Sequence, residues 1–235
     1  MTSPRHVFAM GGAFLADPEG NLHLERYFRD LTGRNNPKVL FIPTASGDND
    51  AYQVRFFQAF ARLGCEPAVL PMFKRTPAAL ETFVLEHHAI AVGGGNTRTM
   101  LAVWREWGLD GILARASEHG IVLGGSSAGS ICWFDRGVTD SIAGPLTSLA
   151  CLGLVPGSNC PHYDSEPDRR PAFQAMVASG EVPDGIAADD GVGLHFIDGA
   201  FHQAVANRAG AMAWKVRRNG AAAEEQPLDP VRLNG

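Results

Sequence analysis

Short apolar runs that stop at glycine or proline alternate with longer amphipathic stretches, and this alternation restricts the fold more than any other feature of the chain. His6–Met10 ends at Gly11-Gly12, Lys38–Ile42 at Pro43, and Ala89–Val92 at Gly93-Gly94-Gly95. Runs of this length, bounded by turn residues, suit buried strands better than helices. Residues 50–63 instead space Val54, Phe56, Phe57, Phe60, Ala61 and Leu63 roughly as a helix does, and Gly64 stands where a left-handed C-terminal residue belongs. A further strand is read at 68–72, a helix at 97–107 closed by Gly108, and a strand at 120–124 that feeds a turn at Ser127 and a helix starting at 128–134. Beyond residue 137 the periodicity weakens. Residues 192–201 and 211–216 read as late strands, and the polar stretch 220–235 as a frayed tail. Strands alternating with helices predict an α/β fold with a mostly parallel central sheet. A length of 235 residues predicts a single domain over 1–235.

Composition narrows the setting. The hydrophobic share of 45% is enough for one sizeable core. A formal charge of -5 lacks the basic footprint of a nucleic-acid binder. Cys65, Cys132, Cys151 and Cys160 form no C-x-x-C pair and read as reduced thiols. The start of the chain lacks the long apolar stretch of a signal peptide, and no window approaches the ~18 apolar residues of a membrane helix. A soluble cytoplasmic protein with no membrane or nucleic-acid partner is expected.

The run Gly124-Gly125-Ser126-Ser127-Ala128-Gly129 carries the chemistry. A serine nucleophile must be lifted clear of the backbone and held near donors for the developing oxyanion, and a tight strand-to-helix turn does both. Small residues must flank it. Gly125 lies two residues before Ser127 and Gly129 two after, which favours Ser127 over Ser126. The N–H of Ala128 is the expected oxyanion donor. Read blandly, the same run is only a strand-to-helix turn, one that could hold a phosphate.

The second turn, Gly93-Gly94-Gly95-Asn96-Thr97, opens another backbone loop between a buried strand and a helix. One of its N–H groups could complete an oxyanion hole. It fits neither the G-x-G-x-x-G register nor a G-K-[ST] loop, so no nucleotide cofactor is expected.

Taken together, Val92-Gly-Gly-Gly-Asn-Thr97, Gly125-Ser-Ser-Ala-Gly129 and Asn159-Cys-Pro-His-Tyr163 resemble the S51 serine peptidase family, which includes the aspartyl dipeptidase peptidase E and cyanophycinase. The resemblance extends over roughly residues 5–215. It implies a three-layer α/β/α sandwich related to class I glutamine amidotransferase domains. It also implies a nucleophile at Ser127, oxyanion donors on the backbone of Gly94 and Ala128, and a base at His162. The family's acid, a glutamate before a glycine late in the chain, corresponds to Asp190 in Ala187-Ala188-Asp189-Asp190-Gly191. Asp140 is the rival for that role.

An aspartyl substrate needs a cation to hold its side chain. Arg169 and Arg170 are the candidates, with Gly95 and Asn96 as further substrate contacts. Yet Asp164, Glu166 and Asp168 share the loop with the arginines and would repel an acidic substrate. The sequence therefore predicts a serine hydrolase acting on a small peptide or amide, with a specificity other than Asp-X. The alternative from another class is a catalytically silent small-molecule-binding protein on the same fold. A cysteine amidotransferase would need Cys at the elbow, whereas Cys132 lies five residues on. No metal is expected, because His195 and His202 lack H-x-x-x-H or H-E-x-x-H spacing. The family resemblance makes a homodimer conceivable, with Trp104, Trp107 or Phe134 as apolar candidates for the interface.

Overall fold

A computed structural model describes residues 3–16 and 20–233. The first half of the chain lays down β1 (His6–Met10), α1 (His23–Asp30), β2 (Lys38–Ile42), α2 (Asp50–Arg62), β3 (Glu66–Val69), α3 (Leu80–Leu85), β4 (Ala89–Val92), α4 (Thr97–Glu106), α5 (Leu109–Glu118) and β5 (Val122–Ser126). The five strands pair in parallel in the order β3-β2-β4-β5-β1. Both faces of this sheet are covered, which is why its strands read as continuous apolar runs. Leu40, Ile42, Ile90, Val92 and Leu123 point to one side, onto Leu101 and Trp104 of α4 and Leu113 of α5. Their neighbours Val39, Phe41, Ala89, Ala91 and Val122 point to the other, onto Phe28 of α1 and Phe56 and Phe60 of α2. These are the expected three layers.

After β5 the chain makes one helical turn, α6 (Ala128–Ile131), and then builds a second sheet. Its first part comprises β6 (Phe134–Thr139), β7 (Thr147–Ala150), β8 (Val155–Cys160), α7 (Arg169–Ser179) and β9 (Gly185–Ala188). The hairpin of β10 (Val192–Ile197) and β11 (Ala200–Ala206) returns to the first sheet, with β10 antiparallel to β1. A second hairpin, β12 (Ala213–Asn219) and β13 (Ala222–Leu228), completes the second sheet in the order β13-β12-β9-β8-β6-β7. The short β14 (Val231–Arg232) pairs with β11. The fold is mixed α/β with a large, mostly parallel sheet at its centre. No helix among the described residues is long and apolar enough to cross a membrane.

Four expectations need correction. The helix read from 128 to 134 stops after one turn, because the carbonyls of Cys132 and Trp133 accept N–H groups of Leu152, Leu154 and Val155 at 2.7–2.9 Å and are lost to helix formation. The strand read at 68–72 lies at 66–69, in register with β2, while the N–H groups of Met72 and Phe73 both turn to the Asp48 carboxylate at 2.7 Å. The run 192–201 is two strands, folded at Asp198-Gly199, both left-handed with φ of 52° and 80°. That is the geometry an Asp-Gly hairpin turn demands. The tail is paired rather than frayed as far as Leu233: β13 zips onto β12, and Leu233 N–H bonds Ala206. Residues 234–235 of the expected tail lie outside the described residues.

Candidate active site

Strands β1, β4 and β5 are parallel, so their C-terminal ends share one edge of the sheet, the usual place for ligands in open α/β folds. Three turns meet there. At the end of β5, Ser127 has φ 59° and ψ −113°, a left-handed backbone that a serine adopts only when its surroundings impose it. The imposition is visible: an added Cβ at Gly129 would lie 2.1 Å from the Val92 carbonyl oxygen, and one at Gly125 2.3 Å from the same atom. Only glycines let the elbow press this closely on β4. Ser127 occupies the position before α6, yet its side chain makes no capping bond, so the hydroxyl is not spent on the helix. The residue is half-buried.

The Gly93–Gly95 turn lies beside it. A Cβ added to Gly94 would come 3.2 Å from Ser127 Cβ and 3.7 Å from its Oγ. The Gly94 N–H donates to the Tyr52 hydroxyl over a long 3.4 Å. The N–H of Ala128 opens α6, ahead of Ser130 and Ile131, whose N–H groups bond back to the Ser127 carbonyl at 2.9 and 3.1 Å. Asn96 caps α4 through Thr99 N–H at 2.9 Å and donates to the Ser141 carbonyl at 3.0 Å.

The third turn belongs to the second sheet. Parallel strands β8 and β9 end at Cys160 and Ala188, and the residues just beyond them are His162 and Asp190. His162 Nδ1 lies 2.7 Å from Asp190 Oδ1. An ionised carboxylate only accepts, so the proton is on Nδ1 and Nε2 is left to accept. That bond, as its main cause, holds the Asp190 carboxyl below the usual carboxylate range. Asp190 is itself fixed: its N–H donates to Asp164 at 2.9 Å, and its carbonyl accepts from Arg208 at 3.0–3.1 Å. Arg208 also pairs with the Asp164 carboxylate.

Residues not singled out by sequence reasoning hold these turns together. Met10 and Gly11, at the end of β1, receive the backbone N–H groups of Ser127 and His162 at 3.2 and 3.1 Å. Gly12 lies against the His162–Asp190 pair, and a Cβ there would fall 1.9 Å from Asp190 Oδ1. Inside, the Ser130 hydroxyl donates to Asn159 Oδ1 and Asn159 Nδ2 donates to the Ile186 carbonyl, each at 2.8 Å. Both side chains are wholly buried, and they tie α6 to the strands that carry His162 and Asp190. The sequence signal was present in the paired glycines and in Asn159 of the Asn-Cys-Pro-His segment.

The remaining candidates divide. The carboxylate on His162 is that of Asp190, whereas Asp140 lies 3.7 Å from Arg169 Nη2. Arg169, with 3% side-chain exposure, donates to Glu166 at 2.7 Å and to the Val138 carbonyl at 3.0 Å. A cavity of about 260 Å³ brings together Ser127, Gly95, Asn96, Asp140, Glu166 and Arg169. Arg170 is engaged elsewhere: it pairs with Glu225 of β13 and stacks over Trp214 and Tyr163, 4.3 and 5.4 Å from the ring centres. Cys132 lies at the end of α6 with its thiol pushed well up by burial, unsuited to attack. Among the described residues, no group of three or more His, Cys, Asp or Glu is placed to hold a metal ion.

Fold and site together define a mixed α/β protein in which a strand–serine–helix elbow and a histidine–carboxylate pair are both anchored at the end of β1. The chain belongs to peptidase family S51, whose family model matches residues 7–204. It is 48% identical over 231 residues to the "Uncharacterized peptidase YgaJ" of Bacillus subtilis (strain 168), covering 98% of this chain and all of that one. It is 31% identical over 153 residues to peptidase E of Streptomyces coelicolor, spanning 63% of this chain and 61% of the relative. In three dimensions it matches a crystal structure of a peptidase from an acI-B1 Actinobacterium with TM-score 0.69 at 18% identity, over 98% of this chain and 95% of the other.

Proposed function

We propose that the chain is a serine peptidase that hydrolyses a small peptide or amide, with Ser127 as nucleophile, His162 as base and Asp190 as the residue that orients it. The observation that carries this reading is the 2.7 Å bond between His162 Nδ1 and Asp190, which leaves Nε2 free to take a proton. In this reading Ser127 Oγ attacks the scissile carbonyl and His162 Nε2 accepts its proton, later passing it to the leaving amine. Asp190 stays ionised and stabilises the imidazolium that forms. The oxyanion is held by the N–H groups of Gly94 and Ala128. The former is bonded only at 3.4 Å to Tyr52, weakly enough to turn to a stronger acceptor.

Asp is one methylene shorter than the family's Glu. Gly12, lacking a side chain, leaves the room in which Asp190 lies against His162, which supports the shorter acid in this role.

A fluorophosphonate probe combined with a dipeptide panel tests the proposal. The expected result is labelling of Ser127 and hydrolysis that falls roughly 10⁴-fold or more in Ser127→Ala. A chain that remains unlabelled and cleaves nothing would instead be a silent binding protein on this fold.

A further inference from the structure

The cavity beside Ser127 has an unusual electrostatic layout for a site related to an aspartyl dipeptidase. Its one cation, Arg169, forms the floor, with 3% of its side chain exposed. Its two carboxylates form the mouth: Asp140 is 66% exposed and Glu166 43%. The guanidinium already serves this lining, with Nε donating to Glu166, Nη1 to the Val138 carbonyl and Nη2 ion-paired with Asp140 at 3.7 Å. A buried charge keeps its partners because losing them is costly. If Arg169 turned to a substrate carboxylate, Glu166 would be stranded and a third anion would be packed against two others. The charged lining as it stands carries an excess of negative charge.

The mouth also leads on. A second cavity of about 840 Å³ shares Asp140 and Glu166 with the first and adds Asp168 beside Leu146, Pro167 and Pro171. A ligand reaching from Ser127 outward would pass between carboxylates and then over apolar surface.

We propose that the cavity beside Ser127 takes a positively charged group of the substrate, an ammonium or guanidinium on the residue that supplies the scissile carbonyl, and excludes an acidic side chain there. This rests on the reading of Ser127 as nucleophile. Arg169 then acts as a positioning residue, holding Glu166 and Asp140 at the rim, rather than as the recognition cation. The substrate's cation could be its free α-amino group or a basic side chain. Either would be attracted by the same two carboxylates, most strongly at low ionic strength.

The test is calorimetric binding to full-length Ser127→Ala, so that it does not depend on turnover. The ligands are lysinamide, norleucinamide, aspartamide (aspartic acid α-amide) and the N-acetyl forms of the first two. Lysinamide binding about tenfold or more tighter than norleucinamide identifies a side-chain cation. Norleucinamide binding better than its N-acetyl form identifies the α-ammonium. In both cases Asp140→Asn, an exposed and conservative change, should reduce the preference, and added salt should weaken it. Aspartamide binding as tightly as norleucinamide or tighter, or equal binding of all five ligands, overturns the proposal. Fluorophosphonate labelling of the unmodified chain reports separately on the nucleophile, so the two readings can fail independently.

Discussion

Ser127 and His162 hang by their backbone N–H groups from consecutive carbonyls, those of Met10 and Gly11, at 3.2 and 3.1 Å. Both residues have left-handed backbones, with φ of 59° and 55°. One strand end thus sets the position of two groups that come from different sheets. The relative placement of Ser127 and His162 is built into the end of β1, although neither residue belongs to it.

Gly12 is where this arrangement is most vulnerable. A methyl there would lie 1.9 Å from Asp190 Oδ1 and 2.9 Å from His162 Nδ1. Both partners belong to loops, so they can move without unfolding the protein. Gly12→Ala should therefore lower kcat by about 10²-fold, the usual cost of displacing reacting groups by an ångström, with little loss of melting temperature. Equal activity in the variant would show that the pair can shift without consequence.

Asp190 and Asp140 are separable by substitution. Asp190→Asn keeps the size but presents an amide to Nδ1, which favours the wrong imidazole tautomer. Hydrolysis should fall about 10⁴-fold. Asp140→Asn, 3.7 Å from Arg169 and two-thirds exposed, should leave kcat for an N-blocked, uncharged peptide within about threefold, because a largely solvated carboxylate at that distance is screened by water. Steady-state kinetics of the two variants side by side decide which carboxylate serves the histidine.

The link from Ser130 to Asn159 to the Ile186 carbonyl predicts a stability effect rather than a chemical one. Ser130→Ala removes the donor and leaves a buried Asn159 Oδ1 unsatisfied, at a cost of about 1–3 kcal/mol. Denaturant unfolding should show a lower midpoint with an unchanged slope.

The first-half architecture was legible in the sequence because four of its five parallel strands are buried on both faces and read as apolar runs, whereas the half-exposed edge strand β3 was misplaced by two residues. The elbow was legible for a local reason too: the glycines around Ser127 serve contacts with Val92, the residue at the end of the neighbouring strand. Of the second sheet only β12 was read, at 211–216. In the others burial alternates along exposed β13 and breaks within β6 and β8, so neither period stands out. Helix α7 hid behind Arg169-Arg170-Pro171, whose arginines read as ligand-binding groups. One of them is instead a buried ion-pair hub, and the other joins α7 to Glu225 of β13. His162 and Asp190 sit beyond strands of this second sheet, and only the family resemblance pointed to them. The Gly11-Gly12 contacts depend on pairing between ends of the chain that no local pattern encodes.

A buried histidine outside the site sets a pH dependence of its own. His195 on β10 is 3% exposed, 2.9 Å from His6 Nδ1 through Nε2 and 2.9 Å from the Tyr27 hydroxyl through Nδ1. His202 stacks edge-on against it, Gln203 donates to Tyr27, and Asp198 acts on His6. Burial first, then the neighbouring His6 and His202, push the His195 pKa down from 6.5 to about 4. The unfolded chain therefore takes up a proton that the folded chain refuses, over the interval between those values. Stability from this group is complete above pH 6.5 and drains away as the pH falls toward 4. His6, whose pKa is also lowered chiefly by burial, adds to the same trend. Melting temperature measured from pH 7 down to pH 4.5 should fall, and it should fall less steeply in His195→Gln, which keeps hydrogen-bonding capacity but cannot be charged. The same slope in both proteins would place the acid sensitivity elsewhere in the molecule.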